Sequence, residues 1–161
     1  MDWVFSRAPI YFVTACTFER RALLARECVR DRMIEFAQKG ADFGAWLGAF
    51  VLMPDHVHAF VALAADDNSA GLKTTNLSRW MKGFKRAISK SLDEAGVEGP
   101  HWQKGFFDHV LRSEESYAEK WEYVRSNPVR AGLVKRAEDW PYWGEPFPLE
   151  SRSEQGCEKW W

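Results

Sequence analysis

The sequence predicts an α+β protein: a ferredoxin-like antiparallel sheet built in the order βαββαβ and followed by one more helix. Three observations carry that prediction. Trp46 to Met53 and His56 to Leu63 are apolar, strand-like runs separated only by Pro54-Asp55, so they read as a tight hairpin. Apolar residues recur at helical spacing on either side of that hairpin. A β-branched and aromatic run opens the chain, and a second follows the later helix.

Taken in order, Tyr11 to Thr17 reads as the first strand. Leu23 to Gln38 carries Leu23, Leu24, Val29, Met33, Ile34 and Phe36 mostly at helical spacing, with Gly40 as a stop. The hairpin follows, and Ala64 to Gly71 is small and polar, a loop. Leu77, Trp80, Met81, Phe84, Ile88 and Leu92 then mark a helix ending near Gly96. Phe106 to Arg112 reads as the fourth strand. Ser113 suits an N-cap, with Glu114 and Glu115 favourably placed at a helix N-terminus. That helix runs to about Ser126, where Asn127-Pro128 and Gly132 end it. The two crossover helices belong on one face of the sheet and the last helix on the other. Residues 1–144 form one domain, and residues 145–161 read as a tail.

A chain of 161 residues supports one sizeable core rather than two. Its 46% hydrophobic and 15% aromatic content excludes a disordered protein. No apolar run approaches the roughly 18 residues of a membrane helix, and the N-terminus lacks a secretory signal pattern. Cys16, Cys28 and Cys157 are odd in number and widely spaced, which fits a reducing cytoplasm rather than a disulfide framework. The net charge of −1 conceals an uneven distribution: residues 73–90 hold six basic side chains and no acidic one.

Chemistry concentrates in two short patterns. Alternate strand residues point the same way, so His56 and His58 present two imidazoles on one sheet face, a metal half-site. Val57, Ala59, Val61 and Leu63 share the opposite, purely apolar face, which should pack on the crossover helices. Tyr123 and Asn127 stand four apart on the last helix and therefore share a face. At 100° per residue they lie roughly 90–130° from the stripe Tyr117, Trp121 and Val124, which should seal that helix on the sheet. A phenol beside a metal suggests attack on a phosphodiester and a covalent phosphotyrosine. Arg79, Lys82, Arg86 and Lys90 cluster opposite their helix's apolar stripe, and with Lys85 they suggest a phosphate track. Arg125 and Arg130 bracket Asn127 and suit a nucleic-acid backbone nearby. His109 and Asp108 are possible auxiliaries, with His109 as a base. Phe12, Phe60 or Trp46 offers a ring on which a base could stack.

Several segments together resemble the REP-associated tyrosine transposases, single-tyrosine HUH nucleases related to small insertion-sequence transposases. They are Pro54-Asp55-His56-Val57-His58, Trp80-Met81-Lys82-Gly83-Phe84-Lys85, Trp102 to His109, and Tyr123-Val124-Arg125-Ser126-Asn127-Pro128 running on to Val134. The resemblance covers roughly residues 8–144. It implies that His56 and His58 are metal ligands, that Asn127 is a third metal-site residue, and that Tyr123 is the nucleophile. It also implies a divalent Mg²⁺ or Mn²⁺ and a single-stranded DNA substrate beside a palindromic hairpin. Imidazole nitrogen suits Mn²⁺ better than Mg²⁺, which prefers oxygen. The protein would act as a monomer or homodimer. In a dimer the last helix could supply its tyrosine to the partner's site.

Two other classes compete. A non-catalytic DNA-hairpin or RNA-binding module can use the same strand order, but the aromatic signature of such RNA-binding sheets is missing. A histidine-triad hydrolase would need a third alternating histidine where Phe60 stands.

Overall fold

A computed structural model of the chain describes residues 8–64, 75–112 and 117–149. The described elements are β1 (Ile10–Cys16), α1 (Glu27–Gly40), β2 (Ala45–Leu52), β3 (His56–Leu63), α2 (Leu77–Glu94), β4 (Phe107–Val110), α3 (Tyr117–Arg125), α4 (Asn127–Arg130) and β5 (Trp143–Gly144). The expected order is present as far as α3; α4 and β5 are additions. The expected Ala64–Gly71 loop beyond Ala64, the Ser113 cap with its two glutamates, and the tail from residue 150 lie outside the described residues.

The strands form one open antiparallel sheet in the order β4-β1-β3-β2-β5. The Pro54-Asp55 turn is closed by the Met53 amide donating to the His56 carbonyl at 2.9 Å. On one face Val13, Ala15, Val57, Ala59, Val61 and Leu63 pack with Val29 and Met33 of α1 and with Trp80, Met81, Phe84, Ile88 and Leu92 of α2. On the other face Val51, Phe60 and Ala62 lie beneath Tyr117, Trp121 and Val124 of α3. The period-2 alternation of β3 thus separates the two layers as expected, with the histidines on the α3 side.

Three boundaries differ from the sequence expectation. Leu23 and Leu24 are buried but lie outside α1, because both amides donate to the Pro54 carbonyl, at 2.8 and 3.0 Å. Gly40 is the last residue of α1 as expected, but it keeps right-handed helical backbone, and a 3-10 turn over Ala41–Phe43 carries the chain on. A Cβ there would sit 3.2 Å from the Ala45 carbonyl, so glycine serves close approach, and the turn comes at Gly44 with φ 72°. The domain also continues past residue 144. Phe147 donates its amide to the Leu47 carbonyl at 3.1 Å, and Leu149 is buried against the α3 layer. β5 covers the edge of β2 with two residues, too few for periodicity to reveal.

Gly48 explains how α3 is seated. The register slips between Leu47 and Phe50, and the Ala49 amide donates to the Tyr117 hydroxyl at 2.7 Å. A Cβ on Gly48 would meet that hydroxyl and Leu149 at 2.7 Å. The bulge therefore gives the buried tyrosine its hydrogen bond. No helix among the described residues is long and apolar enough to cross a membrane.

Candidate active site

His56 and His58 open β3, with ring centres 4.8 Å apart in an edge-on arrangement. Each ring is held through Nδ1. His56 Nδ1 lies 2.8 Å from Asp55 Oδ1; an ionised carboxylate only accepts, so Nδ1 carries the proton. His58 Nδ1 lies 2.7 Å from Thr14 Oγ1, a bond that either partner can donate. With Nδ1 engaged on both rings, Nε2 is the ligand position left on each, on His58 when its Nδ1 is the donor to Thr14. His58 also stacks on Phe12, with centres 5.2 Å apart and planes 20° apart.

The electrostatics favour neutral His58. Burial first, then the positive charges of His56 and Arg130, lower its pKa from 6.5 to about 4. Burial pushes Asp55 the other way, but hydrogen bonding and charge from His56 and Arg20 outweigh it and leave that carboxyl below its usual value. Among the described residues no group of three or more His, Cys, Asp or Glu side chains could hold a metal. The two histidines fit as a two-nitrogen half-site, because both rings are pre-oriented through Nδ1.

Tyr123 projects from α3 with 67% of its surface exposed, whereas Tyr117, Trp121 and Val124 are buried, as the helical stripe predicts. The chain breaks at Ser126 and restarts as α4, with Pro128 in its first turn. Arg130 lies over the Tyr123 ring, 3.9 Å from its centre, and donates to Asn127 Oδ1. Its charge is also felt at His58. Among the described residues no hydrogen bond or ring contact joins Tyr123 or Asn127 directly to either histidine. Arg130 joins Tyr123 to Asn127.

The remaining sequence candidates separate. Antiparallel register sets Asp108 opposite Val13 and His109 opposite Phe12. Asp108 therefore points to the α1/α2 face, away from the histidines, which removes it as an auxiliary. His109 keeps the histidine face, but β1 stands between its strand and β3, roughly 10 Å away at the usual strand spacing. Arg79, Lys82, Arg86 and Lys90 are exposed on α2. They lie on the α1/α2 side of the sheet, opposite the histidine face. Lys85 stands apart from them: its ammonium donates to the carbonyls of Gln103 (3.0 Å) and Gly105, and lies over Trp102. Burial, partly opposed by Cys16, lowers its pKa. Arg125 lies 4.7 Å from the centre of the Trp143 ring, stapling α3 to β5. Phe60 and Trp46 are buried and cannot stack a base, while Phe12 is taken up by His58.

Two residues escaped the sequence reading. Phe107, 72% exposed, faces Thr14, which in turn faces His58, so it stands on the histidine face. Phe107 stands in a four-residue strand, Phe-Asp-His-Val, exposed throughout, and so short a pattern does not reveal exposure in sequence. Arg20 donates to Asp55 from a turn after β1, and nothing local marks it.

The open antiparallel sheet carries the His-x-His pair on the face covered by the helix that bears the exposed tyrosine. Similarity to known proteins points to a particular class of enzyme. The chain is 24% identical over 160 residues to a Haemophilus influenzae protein provisionally named REP-associated tyrosine transposase, spanning 97% of this chain and 89% of that one. It is 31% identical over 96 residues to the Escherichia coli REP-associated tyrosine transposase, across 60% of this chain and 52% of that protein. A solved structure of a REP-associated tyrosine transposase bound to a REP hairpin superposes with a TM-score of 0.61 at 27% identity, covering 84% of this chain and 76% of the other. No protein-family model matches. In sequence and in fold the chain is similar to REP-associated tyrosine transposases.

Proposed function

We propose that the chain is a metal-dependent single-stranded DNA endonuclease and strand-transferase, acting beside palindromic hairpins through a 5′-phosphotyrosine on Tyr123. One observation supports this above all: exposed Tyr123 and Asn127 are drawn together by Arg130, which stacks on the first and bonds the second, with Tyr123 on the helix that covers the histidine face of the sheet. The hairpin partner is carried over from the relative solved with a REP hairpin.

Tyr123 Oη attacks the scissile phosphorus. A tyrosyl O–P bond forms, the P–O3′ bond breaks, the phenolic proton leaves to solvent and the departing 3′-oxygen takes one from water. A second 3′-OH reverses the step by attacking the phosphotyrosine. Bond energy is kept in the linkage, so no nucleotide cofactor is consumed. Arg130 orients the phenol and stands ready for a phosphate oxygen. His56 and His58, with Asn127, would hold Mg²⁺ or Mn²⁺, which when bound polarises the scissile phosphate. Phe107 offers an exposed ring for an unpaired base on the same sheet face, two strands from the histidines. Arg79, Lys82, Arg86 and Lys90 would carry backbone phosphates of the stem on the other side of the sheet, so the DNA must pass around the sheet. The packing of α3 on its own chain's sheet supports a tyrosine that serves its own histidines.

The test is a labelled hairpin with single-stranded flanks, incubated with protein and Mn²⁺ and run on a denaturing gel. Wild-type protein should yield a covalent band and a free 3′-OH product. His56→Ala and His58→Ala should bind the hairpin within several-fold of wild type but form no adduct. Wild-type protein that binds hairpins and never forms the adduct would replace this reading with a binding-only one.

A further inference from the structure

We propose that Arg20 is a positioning residue for His56, acting through Asp55, an inference that rests on reading His56 as a metal ligand. Arg20 Nε donates to Asp55 Oδ2 at 2.9 Å, and its Nη1 donates to Cys16 Sγ at 2.9 Å. The other oxygen of Asp55 takes the proton of His56 Nδ1. The chain Cys16–Arg20–Asp55–His56 closes on itself, because Cys16 and His56 face each other across β1 and β3. A carboxylate on Nδ1 sets the tautomer that leaves Nε2 free, orients the ring and raises its basicity as a ligand. Arg20 removes the remaining freedom of that carboxylate, which one hydrogen bond alone leaves able to rotate.

The backbone is arranged for this contact. Glu19 and Arg20 adopt φ of 53° and 58°, left-handed conformations that non-glycine residues seldom take because they are strained. Such strain persists where neighbours over-determine it. Fully buried Thr17 supplies that constraint: its amide donates to the Asp55 carbonyl at 2.9 Å, and its hydroxyl lies between the carbonyls of Arg21 (2.7 Å) and Asp55 (3.1 Å). The turn after β1 is thereby stapled to the turn before β3, and Arg20 points back over the strand ends. Stability is a poor explanation for the pair. The Arg20 side chain is 51% exposed, and ion pairs in that setting contribute little to folding. Orientation of the ring is the role that remains.

The experiment is Mn²⁺ binding by the full chain, read from the electron paramagnetic resonance signal of free Mn²⁺, with thermal midpoints measured in parallel. Asp55→Ala should weaken binding by about 10- to 100-fold, as loss of an outer-shell partner typically does, and Arg20→Ala by about 10-fold. Arg20→Lys, which keeps the charge but not the two-armed grip, should fall between Arg20→Ala and wild type, and it serves should the alanine variant fail to fold. The double variant should bind no more weakly than Asp55→Ala alone, since Arg20 works through that carboxylate. Wild-type affinity in folded Arg20→Ala or Arg20→Lys, or losses that add in the double variant, would overturn the proposal while the His56→Ala loss leaves the metal site standing. Wild-type protein that takes up no Mn²⁺, or His56→Ala that binds as well as wild type, would remove the metal-site reading and this proposal together.

Discussion

The guanidinium carbon of Arg130 lies 3.9 Å from the centre of the Tyr123 ring, and the same side chain donates to Asn127 Oδ1. In one straight helix, residues seven apart are about 10 Å apart along the axis. The break at Ser126 and the long arginine stem close that gap. A cation on an exposed ring contributes only about 0.5–1 kcal/mol, so its value here is orientation of the phenol.

Arg130→Ala should therefore slow single-turnover cleavage at saturating DNA by about 10- to 100-fold, the scale of a misplaced reacting group. Hairpin affinity should change far less. Arg130→Lys keeps the charge without the flat stacking surface and should recover only part of the rate. A variant that loses affinity but cleaves at the wild-type rate once saturated would make Arg130 a binding residue alone.

The two tyrosines of α3 should separate cleanly. Tyr123→Phe removes an exposed hydroxyl and should leave the thermal midpoint unchanged while abolishing the covalent band. Tyr117→Phe removes the acceptor of the Ala49 amide and should cost about 1–3 kcal/mol, the usual penalty for a buried unsatisfied donor, while the adduct persists. An adduct formed by Tyr123→Phe would place the nucleophile elsewhere.

The α2 stripe is tested by salt. Replacing Lys82 and Arg86 with alanine should weaken binding to all hairpin sequences alike and reduce the slope of log K against log salt by about 2. Lys85→Ala should act differently. Its ammonium holds the loop carbonyls of Gln103 and Gly105, so the protein should lose thermal stability with little change in that slope. An unchanged slope in the Lys82/Arg86 variant would make the stripe a solvated face only.

Acid should destabilise the metal-free protein partly through His58. The unfolded imidazole takes up a proton near 6.5, whereas the folded one resists down to about 4. Between those values the unfolded chain binds more protons, so this contribution is complete above about pH 6.5 and is lost as the pH falls toward 4. Thermal unfolding in chelator should show wild type losing more midpoint over that window than His58→Gln. Equal losses would assign the acid sensitivity to other groups.

Much of this was legible in the chain. Hydrophobic period alone placed β3 from His56 to Leu63, put its histidines opposite the crossover helices and distinguished exposed Tyr123 from buried Tyr117. Each inference uses residues a few positions apart, where strand or helix geometry fixes relative direction. The failures share a different cause. Asp108 and His109, as strand neighbours, must face opposite ways, but only the register with β1 decided that His109 shares the histidine face and Asp108 does not. Lys85 looked like another member of a basic stripe until the loop after Pro100 came to rest on it.

The sequence by itself determined the order of the elements as far as α3, the two layers of the core, and the residue types able to bind metal and attack phosphorus. These follow from local periodicity and side-chain chemistry. Only the tertiary structure decided that Arg130 covers Tyr123, that Arg20 grips Asp55 from 35 residues away, that β5 closes an edge, and that the basic stripe lies across the sheet from the histidines. Those relationships depend on register, a left-handed turn and the break at Ser126, and they arise only when distant segments are packed together.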